Sequence, residues 1–311
     1  MAGVGFVFAG QGSQYPGMGA DLYSDFTCVR EIFDMAEFKR PGIKEICFHA
    51  GSEMLNRTVN TQPCLFLVEV AVAAVLDENG IKADSAAGFS AGETAALCYC
   101  GVMDIEQAFD YTIIRAAAMD ETACDVKGKM AAVLKTDADT IGDFCESIGD
   151  VWAVNFNCPG QTVISGRPES VDRVVSRIKA CGGRAIELSV SGAFHSPLMK
   201  NAADTASGYL KYIELNEPVT PIYSNTNGER INKEDLPGII TEQICSPVFW
   251  EKTVRAMYRD GIRTFVEIGP GEVLSGLIRR MLPDTVICSI SDTAGLERFI
   301  ETIGAKEKPY A

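Results

Sequence analysis

The sequence predicts an α/β protein: a parallel sheet covered by helices, with a smaller lobe inserted into it. Two observations predict this. Short β-rich apolar runs alternate with helical stretches along most of the chain. In the middle that rhythm breaks, because two strands follow one another across a tight turn. The elements read as follows. Val4–Phe8 (VGFVF) is apolar and bounded by glycine, as a buried strand is. A glycine-rich loop follows, then an amphipathic helical stretch from about Asp21 to Phe38. In TQPCLFLVEVAVAAVLDENG, Pro63 stands near a helix start and Gly80 just past its end. This segment is apolar nearly all round, which predicts a buried helix. SAAGF reads as a strand, and AGETAALCYCG as a helix stopped by Gly101. DIEQAFDYTIIRAAAMDETA is a further helix with Asp104 as its N-cap.

From about residue 128 the order becomes strand (MAAVL), helix (DADTIGDFCESIG), strand (VWAVNFN), strand (QTVISG), helix (PESVDRVVSRIKACGG) and strand (RAIELSV). The second and third strands meet at Cys158-Pro159-Gly160. This βαββαβ order predicts a ferredoxin-like subdomain over 128–192. Residues 1–127 and 193–311 then form the large domain, an α/β-hydrolase-like parallel-sheet core. Helices, the strand PVTPIYSN, the strand RTFVEIG, a helix, the strand TVICSI and a last helix complete it.

Bulk properties exclude several functions. The chain has 311 residues, 47% of them hydrophobic, and a net charge of −14. An acidic surface argues against nucleic acid, which requires phosphate neutralisation by a basic face. One or two arginines in a pocket still accommodate an anionic substrate. No apolar run approaches the ~20 residues that span a bilayer, so no membrane is expected. Eleven scattered cysteines, with no CxxC pair, read as reduced thiols in a cytoplasm. No cysteine, histidine and carboxylate cluster has metal-ligand spacing, so no metal is expected. GQGSQYPGMG departs from both nucleotide-binding glycine patterns, at Tyr15 and at Met18.

The candidate chemistry centres on GFSAGETAAL, Gly88–Leu97. GxSxG between a strand and a helix is the nucleophile-elbow pattern, with Ser90 as nucleophile. Its glycines permit a turn that a Cβ would obstruct. The N–H of the next residue, Ala91, then points toward an oxyanion at the helix N-terminus. The competing reading is a helix N-cap serine with no chemistry. A nucleophilic serine needs a base, and the chain has two histidines. His49 follows an apolar run with no loop signals and reads as structural or surface. His195, in SVSGAFHSPLM, lies on a loop leaving a strand end, where a general base is presented. The competing reading for His195 is a loop histidine bonded to backbone. Arg115 sits among small and apolar neighbours and must be paired if buried. Its partner is either a structural ion-pair partner or a substrate carboxylate. Gln11 falls at a strand's C-terminal end, where open α/β sheets place their pockets.

Taken in order, FVFAGQGSQYPGMG, TQPCLFLVEVA, GFSAGE, RAAAMD, VNFNCPGQTVISG, SGAFHSPLM, YSNTNG, QICSPVFW and FVEIGPGEVLSGLIRR resemble the malonyl-CoA:acyl carrier protein transacylase family. That family includes the acyltransferase domains of fatty acid and polyketide synthases. The resemblance implies that Ser90 is acylated and His195 is its base. It implies an oxyanion hole made by the N–H groups of Gln11 and Ala91. Arg115 would pair with the malonyl carboxylate, Gln243 would hold the histidine or the acyl group, and Gln62 would line the pocket. It also implies malonyl-CoA as donor, an acyl carrier protein as acceptor, no cofactor and a monomer. Two positions depart from the family pattern: Phe89 stands where histidine is usual before the serine, and Ala91 where a larger apolar residue is common. Alternatives with the same residues are a stand-alone acyltransferase of a polyketide assembly line, an acyl-thioester hydrolase and a non-catalytic carrier-docking module.

Overall fold

The structure, a computed structural model, describes residues 3–190 and 192–306. The chain divides into two compact units. One is Met1–Ile113 with Asn216–Ile222 and Met257–Ala311; the other is Ile114–Leu215 with Tyr223–Ala256.

The first unit opens with β1 (Gly3–Phe8), whose second half is fully buried. The amphipathic stretch that follows is two helices rather than one, α1 (Ala20–Asp25) and α2 (Thr27–Lys39). Phe26 between them is extended, at φ −115° and ψ 133°. The break is stabilised by Arg30, whose guanidinium donates to the Tyr23 and Ser24 carbonyls at 3.3 and 2.8 Å. These belong to the last turn of α1, where carbonyls have no helical partner. Two short helices, α3 (Ile43–His49) and α4 (Ser52–Leu55), lead into α5 (Thr58–Glu78). This helix starts well before Pro63, which lies one turn inside it. Proline has no N–H to give the Val59 carbonyl. The Arg40 guanidinium donates to that carbonyl at 2.6 Å instead, so the proline is accommodated. At 21 residues and a mean hydropathy of 1.7, α5 is long and apolar enough to cross a membrane, which the sequence reading did not anticipate. It is a core helix, with 89% of its apolar window buried inside the protein. Then come β2 (Ser85–Gly88), α6 (Gly92–Tyr99) and α7 (Ile105–Asp125). Asp104 caps α7 as expected: its Oδ1 accepts from Gln107 N at 2.8 Å, and Gln107 Oε1 accepts from Asp104 N at 3.2 Å.

The second unit contains β3 (Lys129–Leu134), α8 (Ala138–Ile148), β4 (Val151–Cys158), β5 (Gln161–Gly166), α9 (Pro168–Ala180) and β6 (Arg184–Glu187). Its strands form an antiparallel sheet in the order β4-β5-β3-β6. Val133, Ile141, Val151, Ile164, Val171 and Ile178 fill the space between sheet and helices. A 3-10 turn (Pro197–Met199) and α10 (Lys200–Leu210) follow. The expected strand PVTPIYSN, which starts within the first unit's Asn216–Ile222 segment, shrinks to β7 (Ile222–Tyr223). Proline donates nothing to a ladder, so Pro221 contributes only its carbonyl, to Ala86 N at 2.8 Å. A second 3-10 turn (Lys233–Asp235), α11 (Leu236–Glu242) and α12 (Trp250–Arg259) come next. The segment between these helices is fastened to β4: Val248 and β4 exchange bonds at 2.7 and 2.9 Å, and Phe249 stacks on Phe156 at 5.0 Å.

The first unit closes with β8 (Ile262–Ile268), α13 (Val273–Met281), β9 (Val286–Ile290) and α14 (Thr293–Lys306). Its sheet runs β7-β2-β1-β8-β9, and β2, β1, β8 and β9 are parallel. The protein is therefore a mixed α/β fold with one parallel and one antiparallel sheet.

Candidate active site

Two groups of sequence-predicted residues are assembled, one within each unit. In the first unit, Ser90 occupies the turn between β2 and α6 at φ 54°. A non-glycine residue in this left-handed region is strained, and such strain persists where surrounding structure fixes it. Main chain does the fixing. A methyl on Gly92 would overlap the Phe8 and Ala9 carbonyl oxygens, and one on Gly88 would overlap the Gly92 carbonyl. Helix α6 thus sits directly on the end of β1, and Ser90 is lifted at the sheet's C-terminal edge. An ordinary N-cap serine is excluded: the α6 N-cap is Ala91, and no side chain caps it.

The Gly10–Gln11 loop packs beside this turn. A Cβ on Gly10 would lie 2.6 Å from both the ring and the carbonyl of Phe89. Within the serine turn, Gly92, Glu93 and Thr94 donate to the Phe89, Ser90 and Ala91 carbonyls at 3.1–3.2 Å. Beyond Gly10, Ser13 N donates to the Gly10 carbonyl and Gly12 N to Gln14 Oε1. Among the described residues, the N–H groups of Gln11 and Ala91 enter none of these bonds. That leaves two donors, on adjoining turns, for a developing oxyanion. The Gln11 side chain faces α5. Its Nε2 donates to Thr58 Oγ1 at 3.3 Å, and its Oε1 accepts from Gln62 Nε2 at 3.5 Å. Gln62 is 2% exposed.

In the second unit, His195 is 3% exposed and also left-handed, at φ 61°. Its Nδ1 lies 3.0 Å from the Gln243 backbone oxygen. A carbonyl only accepts, so Nδ1 carries the proton and Nε2 keeps the lone pair, as a general base requires. Gln243 immediately follows the last residue of α11. Carbonyls at a helix end have no intrahelical donor, which frees this one for the imidazole. Burial pushes the His195 pKa down to about 4, with the Arg115 charge acting in the same direction. The imidazole is therefore neutral at physiological pH. Arg115, 2% exposed on α7, donates from Nη2 to Gln243 Oε1 at 2.9 Å. Gln243 Nε2 in turn faces Asn225 Oδ1 at 3.5 Å. One glutamine thus contacts histidine through its backbone and arginine through its side chain.

Spacing alone left the group that orients the base open, and the family resemblance pointed to Gln243; the structure shows that the contact is made by its main-chain carbonyl. Every residue has a carbonyl, so no residue type could have signalled it. Asn225 and Thr58 were also missed, because their contacts lie 18 and 47 residues away along the chain. All eleven cysteines are free thiols. No group of three or more potential metal ligands occurs among the described residues.

A strained serine at the C-terminal edge of a parallel sheet, beside two N–H donors, is an arrangement suited to acyl-group chemistry in α/β enzymes. The "Acyl transferase domain" family matches residues 5–295. The chain belongs to that family and is an acyltransferase. It is 35% identical to a malonyl CoA-acyl carrier protein transacylase of Bacillus subtilis, over 97% of this chain and 98% of that protein. Its fold is similar to a crystal structure of the Clostridium perfringens malonyl CoA-acyl carrier protein transacylase. The TM-score is 0.94 at 32% identity, covering 98% of each chain. It is also similar to a malonyl-transacylase solved in complex with its type II PKS acyl-carrier protein. There the TM-score is 0.93 at 35% identity, over 97% of this chain and 100% of that one.

Proposed function

We propose that this chain transfers malonyl from malonyl-CoA to the phosphopantetheine thiol of an acyl carrier protein, through an acyl-Ser90 intermediate. The observation that carries the reading is the left-handed Ser90 beside two uncommitted N–H donors, in a chain whose relatives bear that activity in their names. In the proposed sequence, His195 Nε2 takes the Ser90 hydroxyl proton as Oγ attacks the thioester carbonyl. The Gln11 and Ala91 N–H groups stabilise the oxyanion, each worth ~3 kcal/mol in the transition state. The C–S bond breaks, the imidazolium returns its proton to the departing thiolate, and coenzyme A leaves. The carrier's thiol then gives its proton to His195 and attacks the acyl-serine, and Ser90 is regenerated. Arg115 takes the free malonyl carboxylate in this reading, with Gln243 holding the guanidinium and Gln62 lining the pocket.

The same proposal assigns 128–192 to a ferredoxin-like subdomain and 1–127 with 193–311 to an α/β-hydrolase-like domain. The strand order β4-β5-β3-β6, with two helices on its core, supports the first assignment. The serine between β2 and α6 supports the second. The limits 1–2 and 307–311 lie outside the described residues, as does Ser191. The enzyme is proposed to work as a cytoplasmic monomer without metal or other cofactor. The type II PKS complex among the structural neighbours favours a second reading, in which the carrier belongs to a polyketide assembly line.

Intact-mass analysis after incubation with malonyl-CoA tests the reading. One malonyl adduct is expected on the wild type and none on Ser90→Ala. Addition of the carrier protein should discharge the adduct onto the carrier. Prompt release of free malonate without a thiol would establish a hydrolase, and an unlabelled Ser90 would establish a non-catalytic module.

A further inference from the structure

Glu69 is the only charged residue between Arg57 and Asp77, in the most apolar helix of the protein. It is 1% exposed, and among the described residues its Oε1 is buried with no hydrogen-bond partner and no cation pairs with it. An ionised carboxylate in that setting is costly, and a buried polar group left this way calls for a reason. Leucine or glutamine would suit α5 better.

Its surroundings supply the reason. Glu267, at the end of β8 and 0% exposed, is the charged group that acts on Glu69. Glu267 is well provided for: its Oε1 accepts from Leu274 N at 2.9 Å and its Oε2 from Ser275 N at 2.7 Å, at the N-terminus of α13. Burial raises the Glu267 pKa, and those donors act against the rise, favouring the ionised form at Glu267 more than at Glu69. Glu272, just before α13, adds further negative charge next to Glu267. Of two neighbouring buried carboxyls, the one without donors keeps the proton.

The backbone that rests on Glu69 leads to the proposed oxyanion hole. Gly269 is left-handed at φ +112°, and a Cβ there would lie 2.8 Å from Glu69 Cγ and 3.3 Å from the Ala9 side chain. Ala9 N donates to the Ile268 carbonyl at 3.1 Å. Gly10 and Gln11 follow directly, and Gly10 abuts Phe89. The Ala9–Gln11 segment is thus held between the serine turn on one side and the Gly269 turn, backed by Glu69, on the other.

We propose that Glu69 is a positioning residue, held as a neutral carboxylic acid, that fixes the Gly269 turn and through it the Ala9–Gln11 loop. Its link to catalysis rests on the reading of the Gln11 N–H as an oxyanion donor. Burial first, then the charge of Glu267, raises the Glu69 pKa well above the ordinary carboxylate range. Glu69 is therefore neutral below that raised value and ionises as pH rises through it. Ionisation sets two buried negative charges against each other and loosens the turn. Between the ordinary and the raised value, the folded protein holds a proton that the unfolded chain releases. Stability from this group accordingly falls as pH rises through that window.

Wild type, Glu69→Gln and Glu69→Ala decide the proposal by infrared difference spectroscopy and amide hydrogen exchange. At neutral pH the wild type should show the carbonyl stretch of a protonated carboxylic acid that is missing from Glu69→Gln. Glu69→Leu provides the same comparison should Glu69→Gln fold poorly. On raising the pH, exchange at 9–12 should speed up in the wild type beyond its rate in Glu69→Gln at the same pH. Glu69→Ala, which removes the support, should lose roughly tenfold protection there and roughly tenfold in malonyl acylation rate, with KM for malonyl-CoA unchanged. An acid band that persists in Glu69→Gln, or wild-type loop protection in Glu69→Ala, overturns the proposal. Because both of those readouts are independent of activity, failure to acylate Ser90 would count against the proposed function and leave the role of Glu69 in the loop untouched.

Discussion

The serine turn and the histidine loop hold their key residues in the same unfavourable backbone conformation, φ 54° at Ser90 and φ 61° at His195, by different means. At Ser90 the restraint is steric. Glycines at 88 and 92 let backbone stack on backbone, and no side-chain cap assists. At His195 polar contacts add to close packing, in which a Cβ on Gly128 would lie 2.1 Å from Ala193 N. The imidazole bonds the Gln243 carbonyl, Ser196 Oγ bonds the Ala193 carbonyl at 2.6 Å, and the Gln243 side chain ties Arg115 to the same point. The contrast suits the roles proposed. A nucleophile must present one oxygen at a fixed point, and packed main chain does that without any titratable group. A base must gain and lose a proton, so its restraint has to tolerate a change of charge. A hydrogen bond from Nδ1 to a carbonyl does so, because that nitrogen stays protonated throughout.

The contrast can be broken or sharpened by substitution. The largest effect is expected from His195→Ala, which removes the base and leaves the steric turn intact. Ser90 acylation should slow by about 10⁴-fold, followed by rapid-quench mass spectrometry, with the melting temperature little changed. Gly92→Ala attacks the other restraint. Overlap with the Phe8 and Ala9 carbonyls should cost about 3 kcal/mol or more in chemical denaturation, because backbone cannot move aside as a side chain can. A stability within ~0.5 kcal/mol of wild type would refute a sterically locked turn.

Arg115→Ala should lower malonyl acylation by about 10- to 100-fold, the worth of a charge-assisted pair, while sparing or raising acetyl acylation. Equal losses with both acyl groups would remove its carboxylate role. The smallest effects are shifts in pH dependence. With the His195 pKa at about 4, the base is neutral above that value. Acylation should stay level from pH 8 to about pH 5 and decline as pH falls through about 4. Loss of the Arg115 charge removes one cause of the depression, so the acid limb of Arg115→Ala should move to higher pH. Gln243→Ala keeps its main-chain carbonyl, so its acid limb should stay within about half a unit of wild type while malonyl selectivity weakens. A limb that moves as far as in Arg115→Ala would show that the Gln243 side chain, and not its backbone, holds the histidine.

Legibility differed between the two halves in the same way. GxSxG announced the serine turn because its steric mechanism needs glycine at fixed positions, and only glycine fits there. The histidine loop was located by elimination between two histidines; Gln243 was named through the family resemblance, but that its main chain makes the contact was invisible. Where the sequence misjudged helix limits, an arginine bonded to unpaired helix carbonyls was responsible. Arg40 lets α5 run through Pro63, and Arg30 stabilises the break at Phe26.

Periodicity, glycine placement and a handful of polar residue types were enough, without coordinates, to define the α/β class, the order of strands and helices, and the candidates Ser90, His195 and Arg115. These depend on local sterics and on which faces must be buried, and both are written in residue type at short range. Only the folded chain decided that a carbonyl at the end of α11 serves His195, that Gln243 joins it to Arg115, and that Glu69 lies buried against the Gly269 turn behind the Gln11 loop. Such relations are set by main-chain groups common to all residues and by burial between segments far apart in sequence, so they exist only once the chain has packed.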